Sequence, residues 1–183
     1  RLPAKFLMDI HGKSMLQRVY EQSKLSKAKE ILIAADDDRL ISLAEGFGAK
    51  AFMTAERHQS GTERIAEMVE KLGFSDDEII VNVQGDLPMI SPEAINEVAN
   101  YLICDPTLPM ATLCYPLYEH SDIVNPNVVK VIFNAHHHAI YFSRQVIPWS
   151  KTITPPYYKH IGLYAYRVGF IKQYVKWPAC ELE

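Results

Sequence analysis

The sequence predicts an α/β fold: a Rossmann-like mixed, mostly parallel sheet with helices on both faces and a projecting antiparallel hairpin. From Ser14 to Pro116, short apolar runs of strand character alternate with segments whose apolar residues fall at helical spacing, as in strands joined by crossover helices. Later in the chain, two β-type runs are separated only by a short polar turn. With 48% hydrophobic and 22% charged residues, the 183-residue chain fits one globular domain, residues 1–183.

The alternation begins with a helix whose apolar residues lie between Met15 and Tyr20. The apolar run Glu30–Ala35 is short enough for a strand and stops at three aspartates. Leu40–Phe47 again has helical spacing, and Gly48 stands where a C-terminal cap would. Ala49–Thr54 then predicts a second strand.

The next helix has a clear start signal. Ser60–Glu63 matches a capping box, and the apolar positions that follow keep helical spacing until Gly73. Ile79–Val83 is a strand that reads as fully buried, Pro92–Leu102 is a helix, and Met110–Pro116 is a strand.

The second half changes character. Asn127–Phe133 and His138–Arg144 are β-type runs separated by Asn134–His137, which predicts a hairpin. His160–Arg167 is a further strand, and a helix starts in Phe170–Val175.

Composition excludes several classes of protein. A net charge of −3 gives no basic footprint for nucleic acid, no apolar run approaches the ~18–20 residues of a membrane span, and we expect no signal peptide. Cys104, Cys114 and Cys180 lack metal-site spacing, which favours reduced thiols in a cytoplasmic protein. His136–His138 are consecutive, and neighbouring side chains rarely reach one ion.

The strand Ile79–Val83 runs directly into Gln84, Gly85 and Asp86. Ligands of open parallel sheets lie beyond the carboxyl ends of the strands. A carboxylate there can hold Mg²⁺, which usually takes one or two carboxylates plus substrate phosphates, and Gly85 would let the backbone approach a ligand closely. Alternatively, Asp86 caps the turn into the next helix, and spacing alone does not separate the two.

Two further segments could bind anions. Arg1 and Lys5 place two cations in a short loop before a helix, where they could meet phosphates or lie on a solvated surface. Ser60 and Gly61 form a helix N-terminus, a possible nucleotide site, although every capping box looks like this.

His160 and Tyr164 lie four residues apart on a predicted strand, and therefore on one face. They could reach a ligand or fill the core beside Tyr166. The sequence contains no Gly-x-Ser-x-Gly elbow, no Walker loop and no Gly-x-Gly-x-x-Gly.

The segments RLPAK, HQSGTERIAE and VNVQGDLPMI, in this order and spacing, resemble the 3-deoxy-manno-octulosonate cytidylyltransferases, or CMP-Kdo synthetases. NPNVVKV, YFSRQVIPW and KHIGLYAYRVGFIKQYV extend the resemblance over nearly the whole chain. It implies a nucleotide-diphospho-sugar transferase-like fold. It also implies transfer of CMP from CTP to the anomeric hydroxyl of 3-deoxy-D-manno-octulosonate (Kdo), giving CMP-Kdo and diphosphate for lipopolysaccharide biosynthesis, with Mg²⁺.

The resemblance also implies roles for individual residues. Lys5 and Asp86 are the expected catalytic residues, and Asp86 is the expected Mg²⁺ ligand. Gln84 lies where nucleotide and sugar would meet. The expected nucleotide contacts are Arg1, Lys5, Ser60, Gly61 and Gln84, and the expected sugar contacts are Gln84, Arg144, His160 and Tyr164.

The chain departs from the family pattern at two places: it has Ala4–Phe6 where the family has Gly-Lys-Pro, and Leu87 where the family has Glu. Family segments would precede Arg1 and follow Glu183, so we expect the full-length protein to continue at both ends. The hairpin arm, residues 128–144, is a candidate homodimer interface. Two alternative functions are a cytidylyltransferase for another acid sugar, such as sialic acid, and a nucleotide-binding module without catalysis.

Overall fold

The computed structural model describes residues 5–58, 60–151 and 156–178. The chain divides into two compact units, one of Arg1–Ala111 with Leu163–Glu183 and one of Thr112–Gly162. None of the helices in the described ranges is long and apolar enough to cross a membrane.

The first unit opens with a 3₁₀ helix, Lys5–Leu7, followed by an antiparallel pair of two-residue strands, β1 (Asp9–Ile10) and β2 (Lys13–Ser14). Helix α1 (Met15–Lys24) starts at once, because the Ser14 hydroxyl accepts a hydrogen bond from the Gln17 amide at its first turn. The sequence did not predict β1 and β2, since two residues are too few to show a period.

Strands β3 (Leu32–Ala35) and β4 (Lys50–Met53) pair in parallel and are joined by helix α2 (Asp38–Gly46). Asp37 caps the helix through Oδ1, which accepts from the Arg39 amide at 2.9 Å. Gly48 follows the helix with φ +79°, the left-handed conformation that the predicted cap requires.

Helix α3 (Gly61–Lys71), strand β5 (Ile79–Asn82) and helix α4 (Pro92–Cys104) follow in the predicted order. Ser60 is the N-cap of α3, so the predicted capping position is confirmed. Strand β6 (Met110–Leu117) then leads from the first unit into the second.

The second unit holds a short helix α5 (His120–Val124) and the predicted hairpin, formed by antiparallel strands β7 (Lys130–Phe133) and β8 (Ala139–Ser143). In its turn, the Asn134 side chain accepts from the amides of His136 and His138, which accommodates a positive φ at His137. The core of this unit consists of Leu117, Ile123, Val128 and Tyr157, with Val146 packed against them.

Strand β9 (Tyr157–Arg167) leads back to the first unit, where helix α6 (Val168–Tyr174) follows it directly. Within the first unit β9 pairs with β5 in antiparallel register, with Asn82 opposite Tyr164. One core cluster there is formed by buried residues of α3, β9 and α6: Ala66, Val69, Tyr166, Val168 and Ile171.

The predicted mixed α/β fold is confirmed, with two differences. Among the described pairs whose direction is known, only β3–β4 is parallel, because β9 runs antiparallel to β5 and to β7 and the hairpin is antiparallel by construction. Strand β5 is less buried than its apolar sequence predicts: only Asn82 is fully buried, since β3 and β5 both line a cavity of about 940 Å³ within the first unit.

Candidate active site

The two predicted catalytic residues meet at the end of β5. Lys5 Nζ lies 2.5 Å from Asp86 Oδ2, and both side chains remain accessible, at 38% and 40% of their full exposure. Asp86 lies in a turn that the Leu87 amide closes by donating to the Gln84 carbonyl at 3.1 Å. A cation and a carboxylate separated by 81 positions in the chain are thus in contact at the strand end.

Asp86 does not cap the next helix, so that alternative is wrong. The N-cap of α4 is Ser91, whose Oγ accepts from the amides of Glu93 at 3.1 Å and Ala94 at 3.3 Å. Because the helix start is already satisfied, the Asp86 carboxylate is available for other chemistry.

Gly85 has a different neighbour from the one predicted. A Cβ atom at this position would lie 2.9 Å from Phe6 Cε1 and 3.1 Å from Phe6 Cδ1. The glycine therefore accommodates the Phe6 ring, a side chain of the same unit, instead of leaving its backbone open to a ligand. Because Lys5 pairs with Asp86 and Phe6 packs against Gly85, the segment Lys5–Phe6 contacts the segment Gly85–Asp86 at two successive positions. Lys5 Nζ also lies 5.2 Å from the centroid of the Phe6 ring.

The start of α3 lies beside the same strand end. Ser60 Oγ accepts from the Glu63 amide at 3.2 Å, and the first amides of any helix have no carbonyl partner within it. A Cβ on Gly61 would lie 3.7 Å from Asn82 Nδ2, the last residue of β5. A helix N-terminus carries a partial positive charge. The predicted nucleotide segment, Ser60 and Gly61, therefore places such a charge beside the carboxyl end of β5, as expected for an anion site.

The cavity between β3 and β5 has Gly61, Arg64, Gln84 and Gly85 among its lining residues. Its other walls are mostly apolar side chains of α1, β3, β5 and α4. A triphosphate would not be stable against apolar walls. The predicted nucleotide residues Gly61 and Gln84 both line this cavity, and the Gln84 side chain is exposed.

Sequence reasoning missed Arg64 as a site residue, although it stands in the quoted Ser-Gly-Thr-Glu-Arg segment. Its Nη2 donates to Asp36 Oδ2 at 2.6 Å and its Nη1 to Thr54 Oγ1 at 2.5 Å. Asp36 and Thr54 directly follow β3 and β4, so one guanidinium joins the carboxyl ends of both strands to α3. No local signal in the sequence joins Arg64 to Asp36, because the two residues lie 28 positions apart.

In the second unit, His160 contacts Thr112 and Phe142. Thr112 Oγ1 lies 3.0 Å from His160 Nε2 and 3.0 Å from the Ile161 carbonyl, and the Phe142 ring meets the imidazole edge-on at 4.8 Å. Since the hydroxyl gives its proton to the carbonyl, it accepts from Nε2–H, which makes Nδ1 the acceptor nitrogen of the neutral ring. Burial lowers the pKa of His160 and favours this neutral form.

Arg144 follows β8 and is exposed. Its Nη1 donates to the Pro126 carbonyl at 3.0 Å, and its own carbonyl accepts from Lys130 Nζ at 2.6 Å. Lys130 is fully buried and donates also to the carbonyls of Asn125 and Val128; burial lowers its pKa. The buried lysine thus fixes the backbone that carries the Arg144 side chain.

Tyr164 belongs to the first unit and stacks on Tyr166, with ring centroids 5.9 Å apart and planes inclined by 17°. It packs against the core while remaining partly exposed. Burial and then the neighbouring Tyr174 raise the pKa of Tyr164, so its hydroxyl stays protonated at neutral pH. Of the other predicted residues, Arg1 and Cys180 lie outside the described ranges, and Cys104 and Cys114 are free thiols.

The Asp86 carboxylate suits a hard cation that takes most of its other ligands from water and substrate. In the described ranges no three His, Cys, Asp or Glu residues cluster as a metal site. Mg²⁺ commonly uses one or two carboxylates and completes its shell with water and substrate phosphates. A single accessible carboxylate at the end of β5 fits that mode of binding.

A family model described as cytidylyltransferase matches residues 1–183. The chain belongs to this family. The 3-deoxy-manno-octulosonate cytidylyltransferase of Hahella chejuensis is 47% identical over 193 residues, covering 100% of this chain and 76% of that protein. The enzyme of the same name from Aliivibrio fischeri (strain MJ11) is 49% identical over 191 residues, again covering 100% and 76%.

A solved structure supports the same relationship. A CMP-2-keto-3-deoxy-manno-octonic acid synthetase in complex with CTP matches with a TM-score of 0.91 and 39% identity, covering 99% of this chain and 74% of that one. The resemblance stated from the sequence motifs and the nucleotide-diphospho-sugar transferase-like fold are therefore confirmed. In this cytidylyltransferase, both departures from the family pattern lie at the site: Phe6 packs on Gly85, and Leu87 closes the turn that holds Asp86.

Proposed function

We propose that this chain transfers CMP from CTP to the anomeric hydroxyl of Kdo, giving CMP-Kdo and diphosphate for lipopolysaccharide biosynthesis. The observation that carries the proposal is the identity of 47–49% along the whole chain to enzymes named 3-deoxy-manno-octulosonate cytidylyltransferase. The contact between Lys5 and Asp86 beside the start of α3 supports it, since nucleotidyl transfer needs both charges near a triphosphate.

The nucleotide side of the reaction is assigned to the first unit. In this proposal Lys5 and Arg1 bind the triphosphate, and Ser60 and Gly61 adjoin the cytidine with the amides of the α3 start. Gln84 lies at the edge where the exposed amide can donate to a substrate oxygen and accept from a substrate hydroxyl.

The reaction is an in-line displacement. The anomeric oxygen of Kdo forms a bond to the α-phosphorus of CTP, the bond from that phosphorus to the bridging oxygen of the β-phosphate breaks, and the hydroxyl proton passes to solvent water. Asp86 would hold Mg²⁺, and the chemistry that such an ion would supply when bound is neutralisation of charge on the diphosphate that leaves. Lys5 adds a second positive charge once it leaves Asp86 for the triphosphate. Positioning and electrostatics supply the catalysis, and no covalent nucleophile is needed.

The sugar side is assigned to Gln84, Arg144, His160 and Tyr164. A neutral His160 with Nδ1 as acceptor suits a sugar hydroxyl that donates, and the protonated Tyr164 hydroxyl can donate in turn. Arg144 carries the positive charge that an acid sugar needs for its carboxylate.

We also propose a cytoplasmic homodimer with the hairpin arm, residues 128–144, as its interface. Strand β8 supports this, because Ile140, Tyr141 and Phe142 are exposed by 64%, 54% and 41% on an edge strand. Analytical ultracentrifugation at micromolar concentration tests it; a monomer would contradict it.

The test of the activity is diphosphate release with CTP and Mg²⁺, comparing Kdo with sialic acid. Release with Kdo alone supports the proposal, and preference for sialic acid would replace it with the related acid-sugar activity. CTP binding without diphosphate release from either sugar would indicate a non-catalytic nucleotide-binding module, a candidate that Leu87 favours because it removes a carboxylate beside Asp86.

A further inference from the structure

The loop that the structure describes after β4, residues 54–58, precedes Ser60 at the start of α3. Its first residue, Thr54, is buried and hydrogen-bonds the Ala35 carbonyl through both its amide (2.8 Å) and its hydroxyl (2.9 Å). The loop therefore begins at a fixed point on β3.

A second set of contacts holds the middle of this loop to α3. Glu67 Oε2 accepts from the Ala55 amide at 2.9 Å and from His58 Nε2, while Glu67 Oε1 pairs with Lys71 Nζ at 2.6 Å. The other imidazole nitrogen, Nδ1, lies 3.5 Å from Glu63 Oε2. One carboxylate of the helix thus accepts from both the start and the middle of the loop.

These groups are shielded from solvent. The side chains of His58 and Glu67 are only 13% and 18% exposed. Lys71, the Ala55 amide and His58, in that order of effect, lower the pKa of Glu67 to about 2. The carboxylate is therefore ionised under all ordinary conditions and acts purely as an acceptor, so His58 Nε2 must be the donor.

We propose that Glu67 is a positioning residue for nucleotide binding, which acts through His58 and the Ala55 amide to hold Ser60 and Gly61 in place beside β5. The inference rests on the proposed function only in that Ser60 and Gly61 contact the nucleotide. Glu67 itself lies near the middle of α3, in its second turn, and touches the loop instead of the substrate.

The consequence is a specific kinetic pattern. If the loop becomes more mobile, part of the free energy of CTP binding is used to order it. The KM for CTP then rises, while the chemical step at Asp86 is unchanged. Loss of a charge-assisted contact of this kind predicts a rise in KM for CTP of roughly 10-fold for Glu67→Gln, and more for Glu67→Ala. The kcat and the KM for Kdo should stay within about 2-fold.

The chain offers two matched controls on the same helix. Glu70→Gln makes the same chemical change at an exposed position. Lys71→Gln removes the ion-pair partner of Glu67 that belongs to the helix and leaves the loop contacts of Glu67 in place. Both should keep the wild-type KM for CTP.

A second readout is independent of activity. Arg57 is exposed in the loop, so trypsin cleavage after Arg57 reports how often the loop opens. At a temperature where every variant is still fully folded, Glu67→Gln should be cut there roughly 10-fold faster than the wild type, while Glu70→Gln and Lys71→Gln should match the wild type. If Glu67→Ala unfolds, Glu67→Gln alone carries the comparison.

The outcomes separate the two proposals. Faster cleavage at Arg57 with a selective rise in KM for CTP supports the positioning role. Unchanged cleavage, or equal losses in kcat and in both KM values, overturns it. If the wild type releases no diphosphate, the proposed function fails, and cleavage with CTP binding measured by calorimetry still decides the role of Glu67.

Discussion

Replacing Asp86 by asparagine should abolish most activity and leave the fold almost unchanged. The substitution keeps the shape of the side chain and removes the negative charge that would hold Mg²⁺ against the triphosphate. A catalytic metal supplies several kcal/mol of transition-state stabilisation, so we expect a loss of kcat of on the order of 10²-fold or more, equivalent to at least about 2.7 kcal/mol.

The cost to stability follows from the exposure of the Lys5–Asp86 pair. With both side chains more than a third exposed, the pair contributes only about 0.2–1 kcal/mol, despite the 2.5 Å separation. For a chain of this size, that predicts a fall in melting temperature of no more than about 4 °C. The large effect on rate and the small effect on stability distinguish a functional carboxylate from a structural one.

The assay has two parts. Diphosphate release is measured across Mg²⁺ concentrations, and Mn²⁺ binding is followed by electron paramagnetic resonance in the presence of CTP. Glu30→Gln is the matched control, because Glu30 also forms an exposed ion pair, with Lys50, away from the strand end. An Asp86→Asn variant with near-normal rate and Mn²⁺ affinity would refute the assignment of the metal ligand.

Three further predictions concern the triphosphate side, the sugar side and the loop before α3. Lys5→Ala should raise the KM for CTP and spare that for Kdo, because it removes a charge from the triphosphate; equal effects on both in steady-state kinetics would contradict this. His160→Ala and Tyr164→Phe should do the reverse, each weakening Kdo use by roughly 1–3 kcal/mol; a rise only in the KM for CTP would place them on the nucleotide side. The folded-state pKa of Glu67, about 2, lies below its ordinary value near 4.5, so its contribution to stability is complete above pH 4.5 and is lost as pH falls toward 2. In urea unfolding, the stability difference between wild type and Glu67→Gln should therefore shrink between pH 5 and pH 3, and a constant difference would argue against the shift.

The sequence was informative about elements because their signals are local. The cap at Ser60, the Gly48 turn and the hairpin around Asn134 each depend on a few neighbouring residues, and each is found as predicted. The direction of β9 was not predictable, since pairing with β5 depends on how a distant strand returns to the first unit. Strands as short as β1 and β2 leave no pattern to read.

At the site, the sequence identified residue types better than their partners. Gln-Gly-Asp after a strand correctly suggested an accessible carboxylate, but nothing in the spacing showed that Phe6 would occupy the space beside Gly85. Arg64 and Glu67 appeared as ordinary positions of an amphipathic helix. Their contacts with Thr54 and Ala55 depend on the path of the loop, which only the folded chain defines.

The exposure of the charged pairs separates those that can open during the reaction from those that hold the framework. The Lys5–Asp86 pair is accessible, so breaking it costs at most about 1 kcal/mol. In the proposed reaction, Asp86 would then bind a metal ion and Lys5 a phosphate, and these new contacts would stabilise the complex by more than that cost. Glu67 is shielded and shared among three donors, so no single incoming ligand can replace its contacts. In the proposed site, the exchangeable charges therefore lie at the strand end and the permanent charges lie behind the loop. The opposite behaviour of Asp86→Asn and Glu67→Gln, one in kcat and the other in the KM for CTP, tests that division directly.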